Sequence, residues 1–234
     1  MNKFIVITGG TKGIGRALVL RFAEKGFDVI TCARNKADLE VLKEEIEKSY
    51  NNKVHVKAAD LSKREDIATF ADFVLSTTPR VDVLINNTGI FLPGSIQDEP
   101  DGNLEMMMNT NLFSAYHLTR ALLPSMLPHK QGHIFSMSSI AGITAYSSGG
   151  SYSITKYAMQ GFTKCLREEL KGEGIRVTSV LPGATFTASW EGVDLPHERF
   201  MKAEDVAESV WSAYALSDRT VVEEIVLRPQ LGDI

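Results

Sequence analysis

The chain has 234 residues, 44% of them hydrophobic and 23% charged, and its 25 Lys and Arg against 29 Asp and Glu leave a net charge of −4. This is the mix of a soluble globular protein with chain enough for a large core; its mild acidity argues against nucleic acid or an anionic membrane as main partner, since phosphate binding needs clustered positive charge. Two cysteines in apolar segments, Cys32 and Cys165, make no disulfide framework and are expected in the core, while no apolar run approaches the ~20 residues of a membrane span and Phe4–Ile7 is too short for a signal-peptide core, so a cytoplasmic protein is expected.

In chain order, the first predicted strand, Phe4–Thr8, runs into Thr8-Gly9-Gly10-Thr11-Lys12-Gly13-Ile14-Gly15, and a helix over 13–25 follows at once. Glycines at 9, 13 and 15 clear side chains from a strand–helix junction, where bare N–H groups and the positive end of the helix dipole can receive a phosphate. The spacing is T-G-x-x-x-G-x-G rather than G-x-G-x-x-G. A second strand, Asp28–Ala33, is followed by Arg34. In nicotinamide enzymes an acid at the end of this strand receives the ribose 2′-hydroxyl, whereas an arginine suits a 2′-phosphate. Ala33 offers no acceptor, and Arg34 with Lys12 favours NADP(H) over NAD(H), unless Arg34 is a plain surface residue.

Next come a helix over Lys36–Ser49, a strand over 53–58 leading to Asp60-Leu61, a helix over 63–77, and a strand over 81–86 ending in Asn86-Asn87-Thr88-Gly89. The helix predicted over 103–127 is apolar nearly all round, with Met106, Met107 and Met108 on one side and Leu118, Leu122 and Leu123 elsewhere, so burial on more than one side is expected. His129 and His133 flank Gly132 and read as ordinary loop histidines; no H-E-x-x-H or Cys/His cluster points to a metal. A strand over 133–137 leads to Ser139, and the helix over 151–171 carries Tyr152 and Lys156 on one face. After a strand over 176–181, the stretch 184–200, with Trp190 and Pro196, reads either as a lid or as a surface loop. A helix over 203–216 and a strand over Glu224–Leu227 complete the chain. Seven near-continuously apolar strands alternating with helices predict a single α/β domain over 1–234, a doubly wound Rossmann sheet with helices on both faces.

The spacing of Tyr152 and Lys156 has chemical meaning. A free tyrosine titrates near ~10, and bringing it to ~7 takes about 4 kcal/mol of differential stabilisation, which an adjacent ammonium and a charged nicotinamide ring could supply in a partly dry cleft. Ser139 stands at the carboxyl edge, where open α/β sheets bind ligands, and can hold a carbonyl oxygen while Tyr152 delivers a proton.

Together these motifs resemble the short-chain dehydrogenase/reductase family over essentially the whole chain. The loop residues Gly9, Thr11, Lys12, Gly13, Ile14 and Gly15 match its cofactor loop. Asn86-Asn87-Thr88-Gly89 resembles its N-N-A-G motif with threonine for alanine, and brings Asn87 and Gly89 to the cofactor. Asp60-Leu61 resembles its adenine-contacting pair. Ser139, Tyr152 and Lys156 match its catalytic serine and Y-x-x-x-K pair, and the last two also contact the cofactor. Pro182-Gly183 followed by Thr187 matches the P-G-x-x-x-T segment that borders the nicotinamide, with Thr185 inside it. Asn111, taken over Asn109 because the family's asparagine precedes a leucine, completes a tetrad; the resemblance implies that it opens the helix backbone to a water supporting the lysine.

The resemblance thus implies an NADPH-dependent carbonyl reductase acting on a ketone or aldehyde. The stretch 218–234 is similar to the bacterial sepiapterin reductases of the family, so a pterin side-chain ketone is one candidate substrate, with Trp190 stacking on the flat ring. One rival is a 3-oxoacyl-[acyl-carrier-protein] reductase, whose acidic carrier would suit Lys130 but not Glu173. Another is a non-catalytic dinucleotide-binding regulator, which would be expected to lose the Tyr–Lys pair. Family members pair their two apolar helices across a two-fold axis, which implies a homodimer or homotetramer.

Overall fold

The computed structural model describes residues 3–187 and 194–234. Its strands are β1 (Phe4–Thr8), β2 (Asp28–Ala33), β3 (Val54–Ala58), β4 (Val83–Asn86), β5 (Gly132–Met137), β6 (Ile175–Pro182) and β7 (Glu224–Leu227). All seven pair in parallel in the order β3-β2-β1-β4-β5-β6-β7, the expected doubly wound Rossmann sheet. The winding reverses between β1 and β4, the point at which open α/β sheets form a ligand crevice at the carboxyl ends of their strands.

The helices are α1 (Gly13–Glu24), α2 (Lys36–Ser49), α3 (Arg64–Thr77), α4 (Asn103–Met107), α5 (Ser114–Leu122), α6 (Gly150–Leu170) and α7 (Ala203–Ala215). Strand side chains alternate between two cores. Ile5, Ile7, Ile85 and Phe135 pack with α1 and α7, whereas Val6, Leu84 and Ile134 pack with α3, α5 and α6. The central strands are covered on both faces and read as near-continuous apolar runs, whereas β3 alternates with His55 and Lys57 and β7 stays partly exposed. Among the described residues no helix is long and apolar enough to cross a membrane.

The predicted helix over 103–127 is broken. A π-helical turn, Met108–Phe113, separates α4 from α5, and two short 3-10 turns, Leu123–Ser125 and Leu127–His129, replace its end. Pro124 and Pro128 account for the second change, since proline cannot donate into a continuing helix. Met107, Leu118 and Leu122 are fully buried, while Met106, Phe113 and Tyr116 stay exposed. Two further expectations are corrected. Cys32 is buried but Cys165 is exposed, because its position on α6 faces outward. His133 is no loop residue; it lies within β5, fully buried, its ring stacked on Phe135 at 3.9 Å between centroids. Lys130 and Glu173 precede β5 and β6, at the amino edge of the sheet and so opposite the crevice.

Candidate active site

Between β1 and α1 the chain turns through Gly9 and Gly13, both left-handed at φ 70° and 52°, a conformation side chains rarely adopt. The Cys32 carbonyl accepts from the Gly9 N–H at 2.9 Å and fixes the turn. Lys12 is the N-cap of α1 without a side-chain hydrogen bond, and the first turn holds no acid. The leading N–H groups and the positive end of the helix are therefore left to a ligand, and this cradle fits a dinucleotide diphosphate. Gly15 works differently: a Cβ there would stand 2.1 Å from the Gly9 carbonyl oxygen. Its smallness lets α1 close on the loop. Gly10, which sequence reasoning passed over, is required in the same way by Thr31, whose hydroxyl lies 2.2 Å from where a Cβ would be. A Cβ on Gly13 would meet Thr187 at 2.9 Å, so residue 187 lies beside the loop.

Asn87 braces this loop from β4. Its backbone N–H donates to the Thr8 hydroxyl at 2.9 Å, and its side-chain amide donates to the carbonyls of Thr8 and Gly9 at 2.8 and 3.3 Å. Next along, Gly89 borders the chemistry, for a Cβ there would stand 3.6 Å from Lys156 Nζ and 3.4 Å from Asn111 Oδ1. At the far corner Arg34 is exposed just past β2. Burial works against the charge on Asp60, yet hydrogen bonds from the Ser62 hydroxyl and N–H, with the charges of Lys63 and Arg34, hold its carboxyl below the usual range. Arg34 and Asp60 thus share one corner of the crevice, with Leu61 buried beside them. Lys12 reaches the same corner only loosely, its ammonium 3.9 Å from Asp38 and largely in solvent.

Ser139 lies two residues beyond β5, where its hydroxyl oxygen accepts from the Ala141 N–H at 3.1 Å and its hydroxyl donates to the Pro182 carbonyl at 3.5 Å. Tyr152 and Lys156 stand one turn apart on α6, with the ammonium 5.5 Å from the tyrosine ring centroid. Lys156 is only 5% exposed and donates to the Met137 carbonyl at 2.9 Å; burial draws its pKa down to about 8. The phenol moves the other way. Burial pushes Tyr152 up to about 12, the Ser139 hydroxyl offsets only part of this, and Tyr146 adds to the rise. The lowering expected from Lys156 is absent, and burial dominates.

Asn111 sits fully buried inside the π-helical turn. Its Oδ1 accepts from the Ile90 N–H at 2.7 Å, and its Nδ2 donates to the Ile90 carbonyl and to Thr155 Oγ1, both at 3.0 Å. The rival Asn109 is exposed. Pro182 ends β6, the Gly183 N–H donates to the Leu227 carbonyl at 2.8 Å, and the Thr185 hydroxyl donates to the Gly183 carbonyl at 3.1 Å. The start of the stretch 184–200 is tied by a bridge from Thr185 to Met201, while Trp190 lies outside the described residues. Among the described residues no group of three or more His, Cys, Asp or Glu could hold a metal ion.

Comparison with known proteins places this geometry among relatives. A model of the short chain dehydrogenase family matches residues 3–196. The sepiapterin reductase of Chlorobaculum tepidum is 34% identical, with 100% of this chain and 99% of that one covered. A metagenomic short-chain oxidoreductase in complex with NADP superposes with a TM-score of 0.85 at 29% identity, over 97% of each chain. An alcohol dehydrogenase from the archaeon Thermococcus sibiricus, complexed with 5-hydroxy-NADP, superposes with a TM-score of 0.92 at 26% identity, over 98% of this chain and 97% of the other.

Proposed function

The chain belongs to the short-chain dehydrogenase family, and from that premise we propose that it is an NADPH-dependent carbonyl reductase. The observation that carries this reading is the buried ammonium of Lys156 one turn along α6 from Tyr152, 5.5 Å from its ring centroid, with the Ser139 hydroxyl facing the same corner. NADPH supplies the hydride for the carbonyl carbon. Ser139 and Tyr152 hold the carbonyl oxygen between two hydroxyls, and Tyr152 gives it a proton. With a pKa of about 12 the phenol is protonated at any working pH, as an acid must be. Lys156 uses one donor on Met137 and keeps others for the ribose and the proton path. Asn111 joins Ile90 to Thr155 and so keeps the neighbour of Lys156 in place.

The loop Gly9, Thr11, Lys12, Gly13, Ile14 and Gly15 is assigned to the diphosphate, with Asn87 and Gly89 facing it from β4. Arg34 and Lys12 are assigned to a 2′-phosphate, Asp60 and Leu61 to the adenine, and Pro182, Gly183, Thr185 and Thr187 to the nicotinamide. Neighbours solved with NADP support this cofactor.

A pterin side-chain ketone is the substrate favoured, on the strength of the 34% identity to a sepiapterin reductase along the whole chain. The acyl-carrier reading loses its footing, because Lys130 and Glu173 lie at the amino edge and do not border the crevice of their own chain. Exposed Phe113, Tyr116, Ile154 and Tyr157 on the turn before α5, on α5 and on α6 support a homodimer or homotetramer, which light scattering reads directly. The two free cysteines suit the cytoplasm.

NADPH absorbance followed against sepiapterin, acetoacetyl thioesters, diketones and simple aldehydes tests the assignment. Sepiapterin should be reduced fastest. NADPH binding without turnover on any carbonyl would favour the regulator instead.

A further inference from the structure

Helix α6 has 21 residues and begins behind Gly149, an N-cap with no side chain, so its first turn receives no cap of its own. Tyr152 lies in that turn. An acceptor comes from elsewhere in the chain: the Ser151 hydroxyl donates to Oε1 of Glu99, in the stretch between β4 and α4. The other carboxylate oxygen is buried, has no hydrogen-bond partner among the described residues, and lies 3.4 Å from where a Cβ on Gly150 would be. A negative group against the positive end of a long helix is favourable. Glycines make room for it. A Cβ on Gly94 would strike Glu99 at 2.9 Å, and one on Gly150 would strike the Gly94 carbonyl at 2.6 Å. The Gly94 N–H donates to the Ser148 carbonyl at 3.1 Å, and Gly94 forms a bridge with Gly149. The same stretch carries Phe91, whose ring meets that of Tyr152 edge-on at 4.9 Å between centroids.

From this clasp we infer that Glu99 is a positioning residue: its carboxylate fastens the stretch 91–99 to the first turn of α6 and so sets the phenol of Tyr152 against Ser139. Glu99 touches neither Tyr152 nor Ser139; it acts through Ser151 and Phe91. The effect on turnover rests on the reductase reading, whereas the effect on the tyrosine does not.

Two measurements separate these. In the reductase assay Glu99→Ala should lower kcat about tenfold with the KM for NADPH within about twofold, and Glu99→Gln, whose amide oxygen still accepts from Ser151, should restore most of the loss. With tyrosines carrying 13C at Cζ, the Tyr152 resonance is identified by its loss in Tyr152→Phe. It should move in Glu99→Ala, return in Glu99→Gln, and leave the other tyrosines unchanged. Ser151→Ala removes the same bond from the helix side and serves if Glu99→Ala does not fold. A Tyr152 resonance unmoved in both variants would overturn the inference, as would a loss of kcat that merely tracks lost NADPH affinity and lower melting temperature. A protein that reduces no carbonyl yet shows the shifted resonance would retire the reductase reading and keep this one.

Discussion

Two basic side chains are buried against β5, one at each end, and burial draws both away from their ordinary protonation. At the amino end His133 stacks on Phe135, shares a 2.7 Å hydrogen bond with Thr178, and is held well below the usual histidine range by burial and by Arg176. At the carboxyl end Lys156 lies over Met137 and is drawn down to about 8 by burial. Their surroundings differ. His133 is sealed by Phe135 and Tyr214 and opens on nothing, whereas Lys156 has Gly89, Asn111 and Tyr152 around it. A displaced pKa marks chemistry only where the group can meet a reactant; elsewhere it records the cost of a packed core.

The contrast is tested most severely at the carboxyl end. Tyr152→Phe keeps the ring and removes the proton, so turnover should fall at least ~10²-fold while NADPH affinity and melting temperature barely change. Retained turnover would mean that this end of β5 is as inert as the other.

Cofactor choice sharpens the picture at the rim of the same crevice. Arg34 can hold a 2′-phosphate through two parallel N–H bonds, with Lys12 as a further charge, which should favour NADPH over NADH by about 10²-fold after solvent screening. The double change Ala33→Asp with Arg34→Ile should invert that preference, partly by repelling the phosphate. Measuring kcat/KM for both cofactors at two salt concentrations checks it, since an exposed contact weakens as salt rises. Equal use of NADH by the unmodified enzyme would show Arg34 pointing to solvent.

The smallest effect belongs to the amino end. The folded pKa of His133 is depressed, so the unfolded chain takes up the proton first; its contribution to stability is complete above pH 6.5 and is lost as pH falls below that value. Between pH 7 and pH 5 the unmodified protein should lose more in melting temperature than His133→Gln, whose amide takes up no proton in either state. Turnover of His133→Gln at pH 7 should stay within about twofold. Parallel melting curves would show that His133 is not held neutral.

Much of this was legible in the chain. β1, β2 and β7 begin and end where periodicity puts them, because turn residues flank apolar runs on both sides. That Tyr152 and Lys156 share a face was legible from helical spacing, but only the glycine loop and Ser139 set them apart from a solvated helix face. What escaped detection depends on contacts far apart in sequence. The π-helical turn is invisible locally, since Asn111 leaves its helix to bond Ile90 and Thr155. Gly10 is required by Thr31 on the next strand, and Glu99 matters only because Gly94, Gly149 and Gly150 let two segments touch. The height of the Tyr152 pKa also escaped, because sequence spacing reports a neighbouring ammonium but not how deeply the fold buries the phenol.

The position of β1 bears on how the chain is made. It precedes the other six strands in the chain, yet one of its two sheet neighbours, β4, begins only at Val83. A chain in which β1 had paired with β2 and β3 before β4 docked would leave the other edge of β1 as an unpaired row of Ile5, Val6 and Ile7. Such an edge is a template for pairing with another nascent chain. The side chain of Thr8 meets Asn87 only after β4 docks, so the nucleotide crevice and the protection of that edge arrive in the same step.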